Sequence, residues 1–236
     1  MINSNKVLII VPAYNEGLII QKTVSEIKSL YPSFSILVVN DGSTDDTGLK
    51  ALDAGAIVIN HTHNLGIGGA IQTGFIFAKR ENYTVAVQMD GDGQHDPHCL
   101  SNVIAPVLED KLDLCIGSRF LIQDENFKST TFRRIGIKFF AALLGFLTKT
   151  KVTDPTSGYR AINRSLFTKF ADYYPIDFPE PEAIQIAHRY HARIGEVPAL
   201  MRARTTGHSS IRYIKTFYYM IKVTLAILID TLKRNH

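Results

Sequence analysis

The sequence predicts an α/β fold with a doubly wound, mostly parallel sheet and helices on both faces. Short runs rich in Val and Ile alternate with longer amphipathic stretches through roughly the first half of the chain, a pattern typical of parallel sheets built from β-α units. Several of these runs end abruptly in Asp, Asn and Gly, as at 40–46 and 90–96. In such sheets, ligands bind at the carboxyl ends of the strands, so the same observation predicts where the site lies.

The predicted elements follow in order along the chain. Strands are expected at 6–11, 34–39, 56–60, from 85, at 112–116 and at 194–198, with a short one after the polar corner 154–160. Helices are expected up to about 30, from a cap at Ser43 or Thr44, from 64–70 to about 80, from 97 to about 109, at 132–147, from 177–182 and at 217–232. Hydrophobic periodicity and capping residues carry these assignments.

The fourth predicted strand carries the clearest chemical signal. It changes within a few residues into Asp90, Asp92 and Gln94, with a glycine after each aspartate. Two carboxylates so close together can face one cation, and Mg²⁺ is commonly held by one or two carboxylates together with substrate phosphates. The alternative is a polar turn in which Asp96 caps the next helix and Pro97 is its first residue. That alternative leaves the other three residues without a role.

Length and composition predict one large domain. The chain has 236 residues, of which 45% are hydrophobic and 20% charged, enough for a full α/β core. Cys99 and Cys115 lie in apolar surroundings without metal-ligand spacing, which predicts reduced core cysteines in a cytoplasmic protein. Residues 1–6 lack the basic and apolar regions of a signal peptide, so none is expected.

Charge is distributed unevenly along the chain. Residues 1–127 contain 8 Lys and Arg against 15 Asp and Glu, whereas residues 128–236 contain 18 against 7, and the formal net charge is +4. An acidic half suits a metal site, and a basic half suits an anionic partner. Nucleic acid, a phosphorylated ligand and an anionic membrane surface all fit this pattern, although no nucleic-acid-binding module is recognisable.

Two loops have the composition of phosphate-binding segments. Residues 64–70 place three glycines at the start of a predicted helix, where the backbone can approach a phosphate or a sugar. Tight packing of the helix on the sheet explains these glycines equally well. Residues 201–210 carry two arginines, a histidine and several hydroxyls without an acid, which favours an anion such as phosphate.

Two apolar segments are candidates for membrane association. Residues 132–147 combine an apolar stripe with basic neighbours, and residues 217–232 are followed by Lys233 and Arg234. The second segment falls short of the roughly 20 apolar residues of a membrane span. Both segments fit amphipathic helices at an anionic bilayer surface, and both also fit packing against the domain itself.

Five motifs occur in the order found in family 2 glycosyltransferases of the GT-A fold, which the chain resembles from residue 6 to about 212. They are PAYNE at 12–16, NDGS at 40–43, NLG at 64–66, DGDGQ at 90–94 and GSR at 117–119. Each motif alone is weak, but the ordered set is specific. The corner 154–160 and the 202–210 loop further resemble the dolichol-phosphate mannosyltransferase, or polyprenyl-phosphate hexosyltransferase, branch. Those enzymes move a sugar from a nucleotide donor to a polyprenyl phosphate.

The resemblance implies a role for individual residues. The donor would be bound by Pro12, Tyr14, Glu16, Asp41, Gly66 and Asp90, and a Mg²⁺ or Mn²⁺ ion bridging its diphosphate would be bound by Asp92 and Gln94. The acceptor phosphate would be approached by Ser118, Arg119, Arg133, Arg202, Arg204 and Ser209. The catalytic set implied is Asp90, Asp92, Arg119, Asp154 and Glu182. A hydroxyl acceptor would need a general base, for which Glu180 or Glu182 is the candidate, whereas a phosphate monoester is already an anion and needs none.

The resemblance therefore implies a metal-dependent inverting glycosyltransferase. Residues 1–212 would be the catalytic domain, and residues 213–236 a C-terminal amphipathic helix at the membrane or on a partner. A uridine diphosphate sugar (glucose or N-acetylglucosamine) is favoured over guanosine diphosphate mannose. The acceptor would be a polyprenyl phosphate such as undecaprenyl phosphate, met peripherally at the cytoplasmic face of the cell membrane. A small membrane protein or a second copy of the chain is a further candidate partner, and nucleic acid is not expected.

Three alternatives remain open at this point. The same fold also transfers sugars to a hydroxyl of a lipid-linked glycan or a cell-wall polysaccharide. A nucleotidyltransferase is an alternative from another class, against which the paired motifs at 40–43 and 90–94 argue. A non-catalytic nucleotide-binding module is the third, and the intact Asp90, Asp92 and Gln94 argue against it.

Overall fold

The computed structural model describes residues 6–121, 131–177 and 179–202, and residues 220, 222–227, 229 and 231 of a C-terminal helix, without the side chains of 131–133. The strands are β1 (Val7–Ala13), β2 (Ser35–Asn40), β3 (Ile57–Asn60), β4 (Val85–Gln88), β5 (Leu114–Ser118), β6 (Arg160–Asn163) and β7 (Ile194–Pro198). The helices are α1 (Ile20–Leu30), α2 (Thr47–Asp53), α3 (Gly66–Arg80), α4 (Leu100–Leu108), α5 (Thr131–Thr148), α6 (Arg164–Asp172) and α7 (Pro179–Arg189).

These seven strands form one sheet in the order β3-β2-β1-β4-β6-β5-β7. β6 runs antiparallel to β4 and β5, and the other neighbouring pairs are parallel. The predicted α/β architecture with a mostly parallel sheet is therefore confirmed. The strand order brings the carboxyl ends of β2, β1 and β4 side by side, which gathers the loops that follow these strands at one edge of the sheet.

The core consists of two apolar clusters, one on each face of the sheet. Every residue of β1 is buried, as expected for a parallel strand covered on both sides. Because side chains alternate along a strand, Leu8 and Ile10 join the cluster that includes residues of α3, α5, α6 and α7. Ile9 and Val11 join the opposite cluster, with residues of α1, α2 and α4. Both cysteines are buried and free, as predicted.

Two local predictions need correction. The helix expected to start from a cap at Ser43 or Thr44 begins at Thr47, with Asp46 at its N-cap position and no side-chain cap bond. The hydroxyl of Ser43 instead accepts the N–H of Asn15 at 3.0 Å. In addition, α6 was not predicted, although its first turn is capped by Asn163, whose side chain accepts from the N–H of Leu166.

The predicted helix start at Asp96 and Pro97 is confirmed. The Asp96 side chain accepts the N–H of His98 at 3.0 Å, which satisfies one of the donors left open at a helix N-terminus. Pro97 is the first residue of a 3₁₀ turn that leads directly into α4. Asp96 is thus accounted for separately from the carboxylates that precede it.

Helix α5 has one buried face and one exposed apolar stripe. Phe140 and Leu144 are fully buried in the core, whereas Ile135, Phe139 and Phe146 are 56%, 41% and 82% exposed. The C-terminal helix repeats this division, because Val223 and Ile227 join the same core cluster while Leu225 and Ile229 are exposed. Among the described residues, no helix is long and apolar enough to cross a membrane.

Candidate active site

The site is built where the loops after β1, β2 and β4 meet. A Cβ atom added at Gly91 would lie 3.0 Å from the carbonyl oxygen of Pro12, so glycine at this position lets the loop after β4 lie against the end of β1. The loop after β1 is joined to the loop after β2, since the N–H of Glu16 donates to the Thr47 hydroxyl at 2.9 Å. Tyr14 projects from this junction with 49% of its surface exposed.

Asp41 is a buried junction at the end of β2. Its carboxylate accepts the N–H of Leu65 at 2.8 Å and the N–H of Gly66 at 2.9 Å, and it contacts Nδ1 of His61 at 2.7 Å. Nε2 of His61 lies 2.9 Å from the hydroxyl of Thr73 on α3. Asp41 therefore fixes the start of the glycine-rich loop and α3, a role that sequence reasoning did not assign to it. Its predicted contact with the donor stays a prediction.

Asp90, Asp92 and Gln94 lie together on the turn after β4. The Asp90 side chain is 37% exposed, and Asp92 and Gln94 are half-buried. The N–H of Gln94 donates to Oδ1 of Asp92 at 3.0 Å, and Gly93, with a φ of 72°, allows the tight turn. This turn presents two carboxylates and an amide oxygen, the oxygen ligands that Mg²⁺ and Mn²⁺ prefer, so the residues present fit such an ion.

Arg119 and Asp154 form a buried ion pair at the end of β5. Nε and Nη2 of Arg119 donate to the two carboxylate oxygens of Asp154 at 2.5 and 2.6 Å, and Nη2 also donates to Thr156 at 2.8 Å. Asp154 is fully buried and Arg119 is 7% exposed. This bidentate geometry is the strongest form of an arginine–carboxylate contact. Both residues were predicted to be catalytic, and the structure brings them together as a mutual pair.

Ser118, the last residue of β5, contacts the same corner through its hydroxyl. Its side chain is fully buried and lies 2.7 Å from the hydroxyl of Thr153. Glu196 on β7, which sequence reasoning missed, accepts the N–H groups of Thr153 and Asp154 at 2.7 and 2.8 Å. Hydrogen bonds from Ser118 on β5 and from Glu196 on β7 therefore hold the corner in place. The predicted contacts of Ser118 and Arg119 with an acceptor phosphate stay predictions.

Arg202 forms hydrogen bonds with Glu26 on α1 and with Asp96, which follows the turn at 90–94. Its guanidinium donates to both carboxylate oxygens of Glu26 at 2.8 and 2.7 Å and to Asp96 at 2.8 Å. The hydrogen bonds to Arg202 hold the pKa of the Glu26 carboxyl below its usual range. The N–H of Arg202 donates to the carbonyl of Gln94 at 2.7 Å, which joins this segment to the metal-ligand turn.

Glu26, Asp96 and His98 also gather three ligand-type groups, whose atoms lie within 4.8 Å of one another. The guanidinium of Arg202 occupies acceptor oxygens of both carboxylates. A cation there would have to displace a bidentate ion pair, so this cluster fits a metal less well than the turn at 90–94.

A second polar cluster lies behind Asp90, on the face of the sheet that carries α7. Gln88 and Arg160 are opposite one another in the β4–β6 register, and both are buried. Within the described part of the chain, Nη1 of Arg160 has no hydrogen-bond partner, and the Gln88 amide adjoins the Glu180 carboxyl. Burial raises the pKa of the Glu180 carboxyl, opposed by nearby Arg160. This cluster therefore contains one carboxyl with a raised pKa, that of Glu180.

The remaining predicted residues are placed less completely. Gly66 lies at the start of α3 with a φ of 82°, and Glu182 is half-buried in the first turn of α7. The side chain of Arg133 and all of Arg204 and Ser209 lie outside what the structure describes.

Known proteins resemble the chain in both sequence and fold. The Glycosyl transferase family 2 profile matches residues 8–170. A UDP-N-acetylglucosamine–dolichyl-phosphate N-acetylglucosaminyltransferase of Methanococcus voltae is 30% identical over 95% of this chain and 98% of its own length. An undecaprenyl-phosphate mannosyltransferase of Micrococcus luteus is 31% identical over 87% of each chain.

Solved structures agree on the fold. The glucosyl-3-phosphoglycerate synthase of Mycobacterium tuberculosis in complex with UDP superposes with a TM-score of 0.76 at 20% identity, over 98% of this chain and 82% of that one. At this identity the likeness concerns the fold alone, which is the GT-A-like architecture that the motifs predicted. Together with the profile match over most of the chain, the ordered motifs establish that the chain belongs to glycosyl transferase family 2 and is a glycosyltransferase.

Proposed function

We propose that this glycosyltransferase moves a hexose from a nucleotide diphosphate sugar, with uridine favoured, to a polyprenyl phosphate, with inversion at the anomeric carbon. The observation that carries the proposal is the turn at 90–94, where partly exposed Asp90, Asp92 and Gln94 supply oxygen ligands at the carboxyl end of β4. Relatives named for dolichyl phosphate and undecaprenyl phosphate support the acceptor class. A solved structure of the same fold with Mn²⁺ and UDP supports a divalent cation.

The proposed donor pose follows from the surroundings of this turn. Tyr14, on the loop after β1, is 49% exposed, and its ring is the proposed contact for the nucleoside base. Asp92 and Gln94 would hold Mg²⁺ or Mn²⁺, which when bound neutralises charge that develops on the diphosphate leaving group. Asp90, two residues closer to the strand on the same turn, would contact the ribose or the sugar. An acceptor oxygen then attacks the anomeric carbon as the bond to the diphosphate breaks.

A phosphate acceptor fits the chemistry of this reaction without a base. The second pKa of a phosphate monoester is about 6, so its oxygen is already anionic at neutral pH. Arg202 is paired with Glu26 and Asp96, and the charge of the basic residues that follow it in the sequence supports an anionic acceptor. The proposed role for Arg119 is to stabilise the acceptor phosphate from the corner at the end of β5.

A hydroxyl acceptor is the second candidate, and one observation favours it. Burial raises the pKa of the Glu180 carboxyl in the cluster that adjoins Asp90, and a raised carboxyl pKa is a property of general bases. In that case Glu180, or Glu182 on the same turn, would take the proton of the hydroxyl.

One experiment separates the two acceptors. Purified protein is incubated with Mn²⁺, radiolabelled UDP-glucose or UDP-N-acetylglucosamine, and either undecaprenyl phosphate or a lipid-linked oligosaccharide. We expect a single-sugar lipid that mild acid cleaves, and Glu180→Gln and Glu182→Gln variants that retain activity within about tenfold. Product on the oligosaccharide alone, lost by more than about a hundredfold in one of these variants, would contradict the phosphate acceptor.

We also propose that the exposed stripe on α5 lies against the membrane that carries the acceptor. Ile135, Phe139 and Phe146 are exposed on one side of the helix, with Arg134 and Lys138 exposed beside them, as in interfacial helices. Cosedimentation with anionic liposomes at low salt should fall about tenfold or more in Phe139→Ser/Phe146→Ser, because burying each phenylalanine contributes about 2 kcal/mol. Equal binding by the variant, or no binding by the native chain, would refute this role.

A further inference from the structure

His95 is a buried histidine one residue beyond the metal-ligand turn. It is 2% exposed, and its ring stacks on that of Tyr159 with centroids 4.8 Å apart and planes at 18°. The Tyr159 hydroxyl in turn donates to the carbonyl of Asp96 at 3.2 Å. At the backbone, His95 forms an antiparallel bridge with Met201. The imidazole is therefore held in one orientation by contacts on several sides.

Hydrogen bonding fixes which nitrogen of this ring carries the proton. The N–H of Asp90 donates to Nδ1 of His95 at 3.0 Å, and a ring nitrogen that accepts a hydrogen bond carries no proton. The ring is then neutral, with its hydrogen on Nε2. Nε2 lies 3.6 Å from Oδ2 of Asp90, so this hydrogen is on the side of the Asp90 carboxylate.

We infer, on the basis of the proposed function, that His95 is a positioning residue for Asp90, through a hydrogen bond to its backbone N–H and through the Nε2–H dipole that faces its carboxylate. Nδ1 fixes the main chain at the first residue of the turn, and Nε2 faces the carboxylate from the protein side at 3.6 Å, a distance longer than a hydrogen bond. The Asp90 side chain is 37% exposed, and the proposed donor approaches it from that exposed side. Residues that orient a metal or substrate ligand in this way affect affinity or activity by about 10–100-fold.

The stacking partner of His95 connects the ring to the corner at the end of β5. Tyr159, which stacks on the ring, belongs to the 154–160 corner. The corner therefore helps to position Asp90 by way of His95.

Three substitutions separate the contacts of His95. His95→Asn places an oxygen near Nδ1 and keeps an acceptor for the Asp90 N–H group; His95→Gln places an amide near Nε2 and keeps a donor for the carboxylate. His95→Phe keeps only the stacking on Tyr159. His188→Asn, near the C-terminal end of α7, is the matched control. Steady-state kcat and KM, the affinity for UDP with Mn²⁺ by calorimetry, and thermal unfolding are measured for each.

We expect His95→Phe to lose about 10–100-fold in kcat/KM and His95→Asn about tenfold, with partial recovery in His95→Gln and no change in His188→Asn. His95→Asn and His95→Gln should melt at a lower temperature because they lose the stacking on Tyr159, but each should stay folded under the assay conditions. Native activity in folded His95→Asn and His95→Phe would overturn the positioning role. A loss in His95→Phe alone would also overturn it, because the ring would then serve only the turn.

A measurement without catalysis distinguishes this inference from the proposed function. In protein labelled with ¹⁵N-histidine, NMR correlations within the ring report which nitrogen is protonated. A neutral His95 ring with its proton on Nε2 at neutral pH supports the inference even if no nucleotide sugar binds, which would refute the proposed function instead. A ring protonated on Nδ1 overturns the inference whatever the activity.

Discussion

The two charged regions at the carboxyl edge of the sheet differ most in what surrounds their charges. On the turn after β4, Asp90 has 37% of its side chain exposed and Asp92 is half-buried. At the end of β5, Asp154 is fully buried and Arg119 is 7% exposed, and the two bind each other through two short hydrogen bonds. Partly exposed carboxylates are accessible to a ligand, whereas the buried ion pair is shielded from solvent and shapes the surface beside them.

This difference bears on stability as well as on function. A buried ion pair contributes little net stability compared with apolar residues of similar size, yet the loss of one partner leaves a buried charge that is costly. The turn at 90–94 carries no such burial, so its carboxylates can be changed at small cost to folding. Removing a carboxylate should therefore mainly lower stability at the buried pair and mainly lower turnover at the turn.

The largest expected effect is on the buried pair. Asp154→Leu leaves the Arg119 guanidinium without its carboxylate and should lower the free energy of unfolding by about 3–5 kcal/mol, measured by urea denaturation. The double variant Arg119→Met/Asp154→Leu removes both charges and should recover most of that loss. A stable single variant would show that the corner is not held by this pair.

The double variant also tests the role predicted for Arg119. Recovered stability with lost turnover supports a catalytic role for the pair, of which the contact between Arg119 and the acceptor phosphate is the proposed part. Recovery of both stability and turnover would contradict that contact and would leave Arg119 a purely internal residue.

The second prediction concerns the exposed turn. Asp92→Ala should lower turnover by at least about 10²–10³-fold, the size expected when electrostatic stabilisation of a leaving group is lost, while the free energy of unfolding falls by about 1 kcal/mol, because Asp92 accepts a hydrogen bond from the N–H of Gln94. Asp53→Ala, an exposed aspartate on α2, is the control and should change neither quantity. Retained turnover in Asp92→Ala would mean that the metal assignment is wrong.

The sequence predicted the open turn better than the paired corner, for a physical reason. The ligands at 90–94 are close in sequence and follow one strand, so the local pattern and the rule for strand ends were sufficient. The partner of Arg119 is 35 residues away, and the partner of Arg202 on α1 is 176 residues away. Which arginine is used internally depends on packing between distant elements, which a single sequence does not reveal.

The same limit explains what was missed elsewhere. His95 stands inside the strongest motif, but its role depends on Tyr159, 64 positions later in the sequence numbering. The start of α2 was misplaced because Ser43, a good cap by composition, is used by Asn15 on another loop. The alternation of strands and helices follows from local sequence patterns alone, and the predicted sheet is confirmed.

The third prediction tests a pair between the two extremes. The Arg202 and Glu26 side chains are 35% and 25% exposed, so Glu26→Gln should cost about 1 kcal/mol at pH 7. Hydrogen bonds to Arg202 lower the folded-state pKa of Glu26 from its ordinary value of 4.5. The pair's contribution is therefore complete above pH 4.5 and is lost as the pH falls through the lower folded-state value.

Melting temperatures of the native chain and Glu26→Gln should therefore differ most above pH 5 and should converge as the pH falls below 4.5. Arg202→Met combined with Glu26→Gln serves as the control, since the pair is then absent at every pH. A difference that persists unchanged into acid would show that Glu26 stabilises the fold by some contact other than the ionised pair.

The smallest effect is expected at an exposed pair of the same chemical type. Lys79 on α3 lies 2.6 Å from Asp172 at the end of α6, with the two side chains 41% and 66% exposed. Asp172→Asn should change the free energy of unfolding by no more than about 0.5 kcal/mol, and the change should shrink further in 0.5 M salt, because solvent and ions screen such pairs. If Asp172→Asn lowered the free energy of unfolding as much as Glu26→Gln, burial would not explain why the charged regions of this protein differ. If burial is the cause, the loss should decrease in order from Asp154 through Glu26 to Asp172.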